Sequence, residues 1–179
     1  MYKRQHGNGL GSFKVKKKLT KIYVGNSGTT ARLLSGVLST YPNRFYLYGD
    51  SSMNKREMSR VTKQLEKIGS FFYPSKKNTL PLTIIGTDMP LAQTHIENIG
   101  SAQVKSAILL AALTARGITT VKEPFKSRTN TETMLLERGV EVNSKTIKAG
   151  VNIVKIKGAS YLQGSQISIP GDPSSAVFL

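Results

Sequence analysis

Apolar and polar positions follow two different periods along this chain, and they predict one series of elements twice. An apolar run that ends at Val24 leads through a glycine-containing turn into a helix-patterned segment that begins near Gly28. Apolar residues of period two predict strands, and apolar residues spaced three and four apart predict helices. The rest of the first series is a predicted strand over 45–48, a helix over 58–68, and strands over 71–73 and 82–85.

The second series repeats this order after Gly100. Its predicted elements are an apolar core helix over 107–115, a strand over 118–121, a helix over 131–138, and strands over 140–142 and 153–156. Both second helices are followed by a glycine, Gly69 or Gly139, as expected just past a helix C-terminus. Chance similarity between α/β units is the alternative, but agreement in the order of six elements favours a repeated βαβαββ folding unit.

Turns of glycine and small polar residues precede three predicted helices. They begin at Gly25, Gly100 and Gly171, which are 75 (25 to 100) and 71 (100 to 171) residues apart. The first backbone N–H groups of a helix lack partners within it, and the helix dipole makes this end positive. Such a turn forms either a small-anion site or an ordinary capped helix start. The recurrence favours the anion site.

Composition excludes several classes of protein. The chain has 179 residues and 39% hydrophobic residues, enough for a single domain with a substantial core. No apolar run approaches the roughly 20 residues that span a bilayer, so no membrane association is expected. The absence of cysteine excludes a disulfide scaffold and a cysteine nucleophile, and it agrees with a reducing cytoplasm. With two histidines, His6 and His95, no metal site is expected.

The net charge of +16 raises the question of nucleic-acid binding. The densest lysine run, over 14–21, has no aromatic residues interleaved to stack on bases. A solvated basic surface, or a positive field that attracts a small polyanionic substrate, is the favoured interpretation. No nucleic-acid partner is therefore expected.

Four motifs in order carry a resemblance to a known family. They are Gly25-Asn-Ser-Gly-Thr-Thr-Ala-Arg32, Gly49-Asp-Ser-Ser-Met-Asn-Lys-Arg56, Ser101-Ala-Gln-Val-Lys-Ser-Ala107 and Gly171-Asp-Pro-Ser-Ser-Ala176, with Ser127-Arg128 between the last two. From about Gly9 to Leu179 the chain resembles 5-enolpyruvylshikimate-3-phosphate synthases. The resemblance implies the enolpyruvyl transferase fold, an inside-out α/β barrel. In that fold each of two domains has three βαβαββ units around a pseudo-threefold axis.

The resemblance also implies a division of the chain. Residues 1–8 are expected to be a non-native or disordered leader, and residues 9–170 the second and third βαβαββ units of an incomplete first domain. Residues 171–179 would begin the return to a second domain that this chain lacks. The full-length enzyme is expected to be a cytoplasmic monomer.

The reaction implied by the resemblance transfers the enolpyruvyl group of phosphoenolpyruvate to the 5-hydroxyl of shikimate 3-phosphate. Phosphate is released, and the product leads to chorismate and the aromatic amino acids. No metal or cofactor is implied. Both substrates carry a phosphate and a carboxylate, so the site must supply cations and directed N–H donors.

Site residues are carried over by position from the family. Phosphoenolpyruvate would be bound by Asn26, Gly28, Thr29, Arg56 and Gln103. Shikimate 3-phosphate would be bound by Ser101, Ala102, Gln103 and Arg128, with Lys105 as a neighbour. On local sequence alone, Ser101 equally fits a helix cap, and Arg56 and Arg128 fit surface charges. No catalytic proton-transfer residue is found, so the chain by itself is expected to be inactive.

The chain departs from the family pattern at three places. Glu57 follows Arg56 where proline is usual, Thr129-Asn130 replaces an Asp-His pair, and Leu33 stands where some members have proline. Two rival hypotheses remain: a relative of UDP-N-acetylglucosamine enolpyruvyl transferase and a basic RNA-binding module of similar repeat fold. The first is disfavoured because that enzyme usually has a catalytic cysteine. A degenerate, non-catalytic relative is a third possibility.

Overall fold

The computed structural model describes residues 18–74, 78–159 and 161–164, together with Gly9 and Val15. The first unit consists of β1 (Thr20–Tyr23), α1 (Gly28–Leu38), β2 (Arg44–Tyr48), α2 (Ser59–Glu66), β3 (Phe71–Pro74) and β4 (Leu82–Ile85). The second consists of β5 (Thr94–Ile96), α3 (Ala102–Ala112), β6 (Ile118–Glu123), α4 (Asn130–Glu137), β7 (Val142–Thr146) and β8 (Asn152–Lys157). The βαβαββ order predicted twice is confirmed. The predicted leader and the turn at Gly171 lie outside the described residues.

Each unit forms its own four-stranded sheet. The strand orders are β1-β2-β4-β3 and β5-β6-β8-β7, so the two sheets share one topology. In each sheet the first two strands pair in parallel, and the other neighbours pair antiparallel. Within the described ranges the sheets remain separate and form no closed barrel. This is the arrangement expected of part of an α/β domain built from repeated units.

Two predicted element boundaries were wrong for local reasons. The strand predicted over 140–142 begins only at Val142, because Val140 donates its N–H to the carbonyl of Leu135 and thereby closes the end of α4. The core helix predicted over 107–115 instead spans Ala102–Ala112, and Thr114 and Ala115 form a tighter turn after it. In the first case the apolar pattern correctly indicated buried side chains. The backbone N–H of Val140, however, is bonded within the turn that ends α4, so it does not pair with a neighbouring strand.

Helices α1 and α3 lie side by side in close contact. A Cβ on Gly36 would lie only 2.2 Å from the carbonyl oxygen of Ala107, so this crossing requires glycine. Four residues earlier on each helix, Arg32 meets Gln103, so the two helices run in the same direction. Their N-termini therefore lie at the same end of the domain.

One hydrophobic core joins the helices to the inner faces of both sheets. Burial alternates along the strands, as for Phe45 and Leu47 in β2 and Val154 and Ile156 in β8. This period-two burial is typical of sheets that cover a core on one face. Among the residues that the structure describes, no helix has the length and apolarity to cross a bilayer.

His95 in β5 is fully buried beside α2. Its Nδ1 lies 3.2 Å from Gln64 Oε1, and its Nε2 has no hydrogen-bond partner in the described part of the chain. Burial, and secondarily the charge of Lys67, lowers the pKa of His95 from 6.5 to about 4. The imidazole is therefore neutral in the folded protein at neutral pH.

This burial predicts that acid destabilises the fold. The folded pKa of His95 lies below its unfolded value, so the unfolded chain binds the extra proton as the pH falls from 6.5 towards 4. We expect the free energy of unfolding to fall by about 2 kcal/mol between pH 7.5 and pH 5 on this account, measured by urea denaturation. His95→Asn keeps a donor for Gln64 but does not titrate, and it should remove that part of the decline. An equal decline in His95→Asn would contradict the assignment.

Candidate anion-binding cleft

The N-terminus of α1 is built by a short turn with a side-chain cap. Gly25 adopts a left-handed conformation, with φ of 57°, and returns the chain from β1 into the helix. Ser27 is the N-cap, and its Oγ accepts a hydrogen bond from the backbone N–H of Thr30 at 3.1 Å. Gly28, the first residue of α1, is buried. The remaining first-turn N–H groups are available to a ligand.

The N-terminus of α3 repeats this construction. Gly100 has φ of 70°, and Ser101 caps the helix by accepting a hydrogen bond from the N–H of Val104 at 3.4 Å. The N–H of Ser101 itself donates to Glu97 Oε2 at 2.6 Å. Glu97 is nearly buried and forms an ion pair with Arg60, with Nη2 and Oε2 3.6 Å apart. The two repeated turns thus carry equivalent caps.

Gln103 connects the two helix N-termini. Its Nε2 donates to Thr29 Oγ1 at 2.8 Å, and its Oε1 accepts from Arg32 Nη1 at 2.8 Å. Gln103 lies in the first turn of α3, whereas Thr29 and Arg32 lie in α1. One amide therefore fixes the spacing between the two helix starts through both of its polar atoms.

Guanidinium groups surround the start of α1. A Cβ on Gly28 would lie 2.9 Å from Arg32 Nη1 and 3.3 Å from Arg56 Nη1, so both cations lie against this glycine. Arg56 also donates from Nη2 to Asn26 Oδ1 at 3.0 Å. Burial, followed by the charges of Arg56 and Arg60, lowers the pKa of Arg32 from its ordinary value. Such a concentration of like charge favours the binding of an anion.

An open cleft of about 670 Å³ lies beside these helix starts. Its lining residues are Thr29, Leu33, Arg60, Ile99, Gly100, Ser101, Ala102, Gln103, Ser106, Ser127, Arg128, Asn130 and Thr131. Five residues selected from the sequence are thereby brought together: Thr29, Ser101, Ala102, Gln103 and Arg128. Asn26, Gly28 and Arg56 do not line the cleft; Arg56 bonds to Asn26 and lies against Gly28 at the start of α1.

The carboxylate of Glu57, beside Arg56, turns towards α2. It accepts a hydrogen bond from the hydroxyl of Ser59, the first residue of that helix. The backbone carbonyl of Glu57 accepts from Arg32 Nη2 at 3.2 Å. Glu57 therefore bonds to the Ser59 side chain at the start of α2 and orients Arg32 with its backbone carbonyl.

Sequence reasoning missed Arg32 and Arg60 as parts of this site. Arg32 is the last residue of the first motif. Its position one helical turn after Gly28 could have indicated that its side chain lies beside that glycine. Arg60 follows Arg56 by four residues, but only the fold brings its side chain to the cleft. Lys105, treated as a neighbour, does not line the cleft and instead lies in a buried ion cluster.

Comparison with known proteins gives a consistent result. The family model described as EPSP synthase (3-phosphoshikimate 1-carboxyvinyltransferase) matches residues 4–179. A 3-phosphoshikimate 1-carboxyvinyltransferase of Novosphingobium aromaticivorans is 39% identical over 173 residues, which are 97% of this chain and 39% of that protein. Its counterpart in Gluconobacter oxydans is 44% identical over 155 residues, which are 87% of this chain and 35% of that protein.

A solved structure agrees with these sequence matches. The EPSP synthase from Acinetobacter baumannii superposes with a TM-score of 0.78 at 38% identity, over 89% of this chain and 35% of that one. The chain therefore spans well under half the length of the relatives that it matches.

The Gln103 bridge between the two units is expected to contribute measurably to the stability of the fold. Gln103→Ala removes both hydrogen bonds and should lower the free energy of unfolding by about 1–2 kcal/mol, measured by urea denaturation. The control is Gln93→Ala, at an exposed glutamine whose side chain has no hydrogen bond in the described ranges; it should change stability by less than about 0.5 kcal/mol. Equal effects of the two variants would contradict the bridge.

Proposed function

Because the chain belongs to the EPSP synthase family, we propose that it supplies one wall of an enolpyruvyl transferase active site. The proposed reaction joins phosphoenolpyruvate to the 5-hydroxyl of shikimate 3-phosphate and releases phosphate. The observation that supports it most strongly is the Gln103 bridge, which joins two helix N-termini beside clustered arginines. Small-molecule substrates follow from the family; a cytoplasmic monomer and the absence of a nucleic-acid partner remain predictions.

The chemistry of the substrates fits this cleft. Each carries a phosphate and a carboxylate, and the positive ends of α1 and α3 lie together with three guanidinium groups. Donors held rigidly before the ligand arrives require little reorganisation, which makes their stabilisation of charge effective. This wall would therefore act through positioning and electrostatics.

We assign the α1 side of the wall to phosphoenolpyruvate. Arg56 would bind its phosphate, since a guanidinium can donate two parallel hydrogen bonds to such an anion. Asn26 holds Arg56 in place by accepting from Nη2. Gly28 leaves the space into which both guanidinium groups extend, and a side chain there would displace them. Thr29 and Gln103 would complete this subsite.

We assign the α3 side to shikimate 3-phosphate. Ser101 and Ala102 offer hydroxyl and backbone donors at the helix start, where the dipole favours a phosphate. Arg128 lies across the cleft on the loop before α4 and would complete the charge balance. Gln103 stands between the two subsites and would contact both ligands.

The complete reaction requires proton transfers that this wall does not provide. The methylene carbon of phosphoenolpyruvate must gain a proton while the 5-hydroxyl oxygen bonds to C2 and loses its own. Phosphate and one proton of the resulting methyl group then leave. None of the described residues that line the cleft is a carboxylic acid, a histidine or a lysine. We therefore expect this wall to bind and orient substrates without performing the proton transfers.

The assignment of Arg128 predicts a selective loss of binding. In an NMR titration of the isotope-labelled chain with shikimate 3-phosphate, Arg128→Ala should weaken binding about 10-fold, as expected for one charge-assisted contact. The control is Arg116→Ala, an equal change of charge beyond the opposite end of α3, which should leave the affinity unchanged. Equal weakening by both variants would point to nonspecific attraction instead.

The lack of proton-transfer groups among the described residues that line the cleft predicts that this chain does not turn over by itself. Phosphate release from phosphoenolpyruvate in the presence of shikimate 3-phosphate should not exceed the rate in buffer. The assay is validated with a complete relative at the same concentration. Release above background that disappears in Arg56→Ala would contradict the division of roles proposed for this wall.

A further inference from the structure

A buried ion cluster lies behind the α3 wall of the cleft. Lys105 Nζ is 3.0 Å from Glu123 Oε1 and 2.7 Å from Glu132 Oε1. The lysine and Glu123 side chains are each 1% exposed, and that of Glu132 is 4% exposed. The three residues belong to α3, β6 and α4, so one ammonium group connects three elements.

Glu123 extends this cluster to the cleft. Its Oε2 accepts from Ser127 Oγ at 2.7 Å, and its Oε1 accepts from the Ser127 N–H at 3.3 Å and from Asn152 Nδ2 at 2.8 Å. Burial alone raises the pKa of Glu123, but hydrogen bonds from Ser127, Asn152 and Lys105 outweigh it and hold this pKa below its ordinary value. Glu123 is therefore an ionised acceptor.

These contacts restrain one loop at three points. The loop over 124–129 connects β6 to α4 and carries Ser127 and Arg128, both of which line the cleft. Its start is held at Glu123 and its middle at Ser127. Its far end is held by Glu132, in the first turn of α4, through Lys105.

Stability alone does not account for this arrangement. Buried ion pairs are often replaceable by well-packed apolar residues without loss of stability, because desolvating the charges offsets their attraction. Apolar residues, however, could not accept the two hydrogen bonds from Ser127. Glu123 accepts both, and these bonds fix the direction of the loop. We therefore attribute to this cluster the orientation of the loop that it contacts.

We propose that Lys105 is a positioning residue: by pairing with Glu123 and Glu132 it holds the 124–129 loop so that Ser127 and Arg128 face the shikimate 3-phosphate subsite. Lys105 does not touch the ligand in this arrangement, because it does not line the cleft. The functional part of this inference rests on the proposed function. The mechanical part, restraint of the loop by Lys105, does not depend on it.

The test compares variants that keep the cluster's volume but change its charges. Lys105→Met alone would leave two buried carboxylates unpaired and is expected to unfold the chain. The combined Lys105→Met, Glu123→Gln, Glu132→Gln variant has no buried ion and is the test variant. Glu141→Gln changes the net charge by the same amount but lies outside the cluster, in an exposed pair with Lys157, and is the matched control.

Two readouts separate the inference from the proposed function. Amide hydrogen exchange of the unliganded chain should be about 10-fold faster at Ser127 in the triple variant, with α1 and α3 still protected, and it should be unchanged in Glu141→Gln. Shikimate 3-phosphate affinity should fall about 10-fold in the triple variant only. If the original chain does not bind this ligand, the proposed function fails, whereas the exchange data still decide the restraint of the loop.

Unchanged exchange at Ser127 in a folded triple variant would overturn the inference, and so would lost affinity without a change in exchange. If the triple variant does not fold, Ser127→Ala tests the restraint of the loop instead. It removes the hydroxyl hydrogen bond to Glu123 and leaves the ion cluster intact. Exchange across 126–128 should then increase, and unchanged exchange would reject the restraint.

Discussion

The close parallel packing of α1 and α3 is the constraint on which the cleft depends. Gly36 allows the backbone of one helix to touch the other at Ala107, and this contact together with the Arg32–Gln103 hydrogen bond sets the distance and the relative direction of the helices. Two positive helix ends consequently lie side by side, which is electrostatically unfavourable without a ligand. The arginines of α1, α2 and the segment before α2 add to this positive potential. An anion between the helix ends would relieve it.

The structure separates the groups that meet a ligand from the groups that hold them. Polar residues and arginines line the cleft, while the carboxylates nearest to it are occupied with protein donors: Glu57 with Ser59, Glu97 with Ser101, and Glu123 with Ser127. Each of these acids caps or restrains a segment beside the cleft. The acids therefore organise the positive wall through contacts with the protein; Glu97 also pairs with Arg60, and none of the described residues that line the cleft is an acid.

The parts of this molecule that depend on local chemistry were predictable from the sequence. The repeated βαβαββ order, the capping role open to Ser101 and the glycines at helix ends follow from periodicity and turn residues. Arg32 was not identified although it lies one helical turn after Gly28, whereas Arg60 was not identified because its approach to the cleft depends on packing between elements distant in sequence. The ion cluster of Lys105 was missed for the same reason: an isolated lysine in a helix gives no sign of burial.

In the described part of the chain, strands pair only within each contiguous unit, and this has a consequence for the order of folding. Each sheet forms from one segment, 20–85 or 94–157, and closes loops of limited length. The contacts between α1 and α3 instead join residues 71 and 74 positions apart, as in the Gln103 bridge. Contacts between such distant residues bear the larger entropic cost and form later. The cleft is thus expected to assemble last, so that binding competence marks the completion of folding.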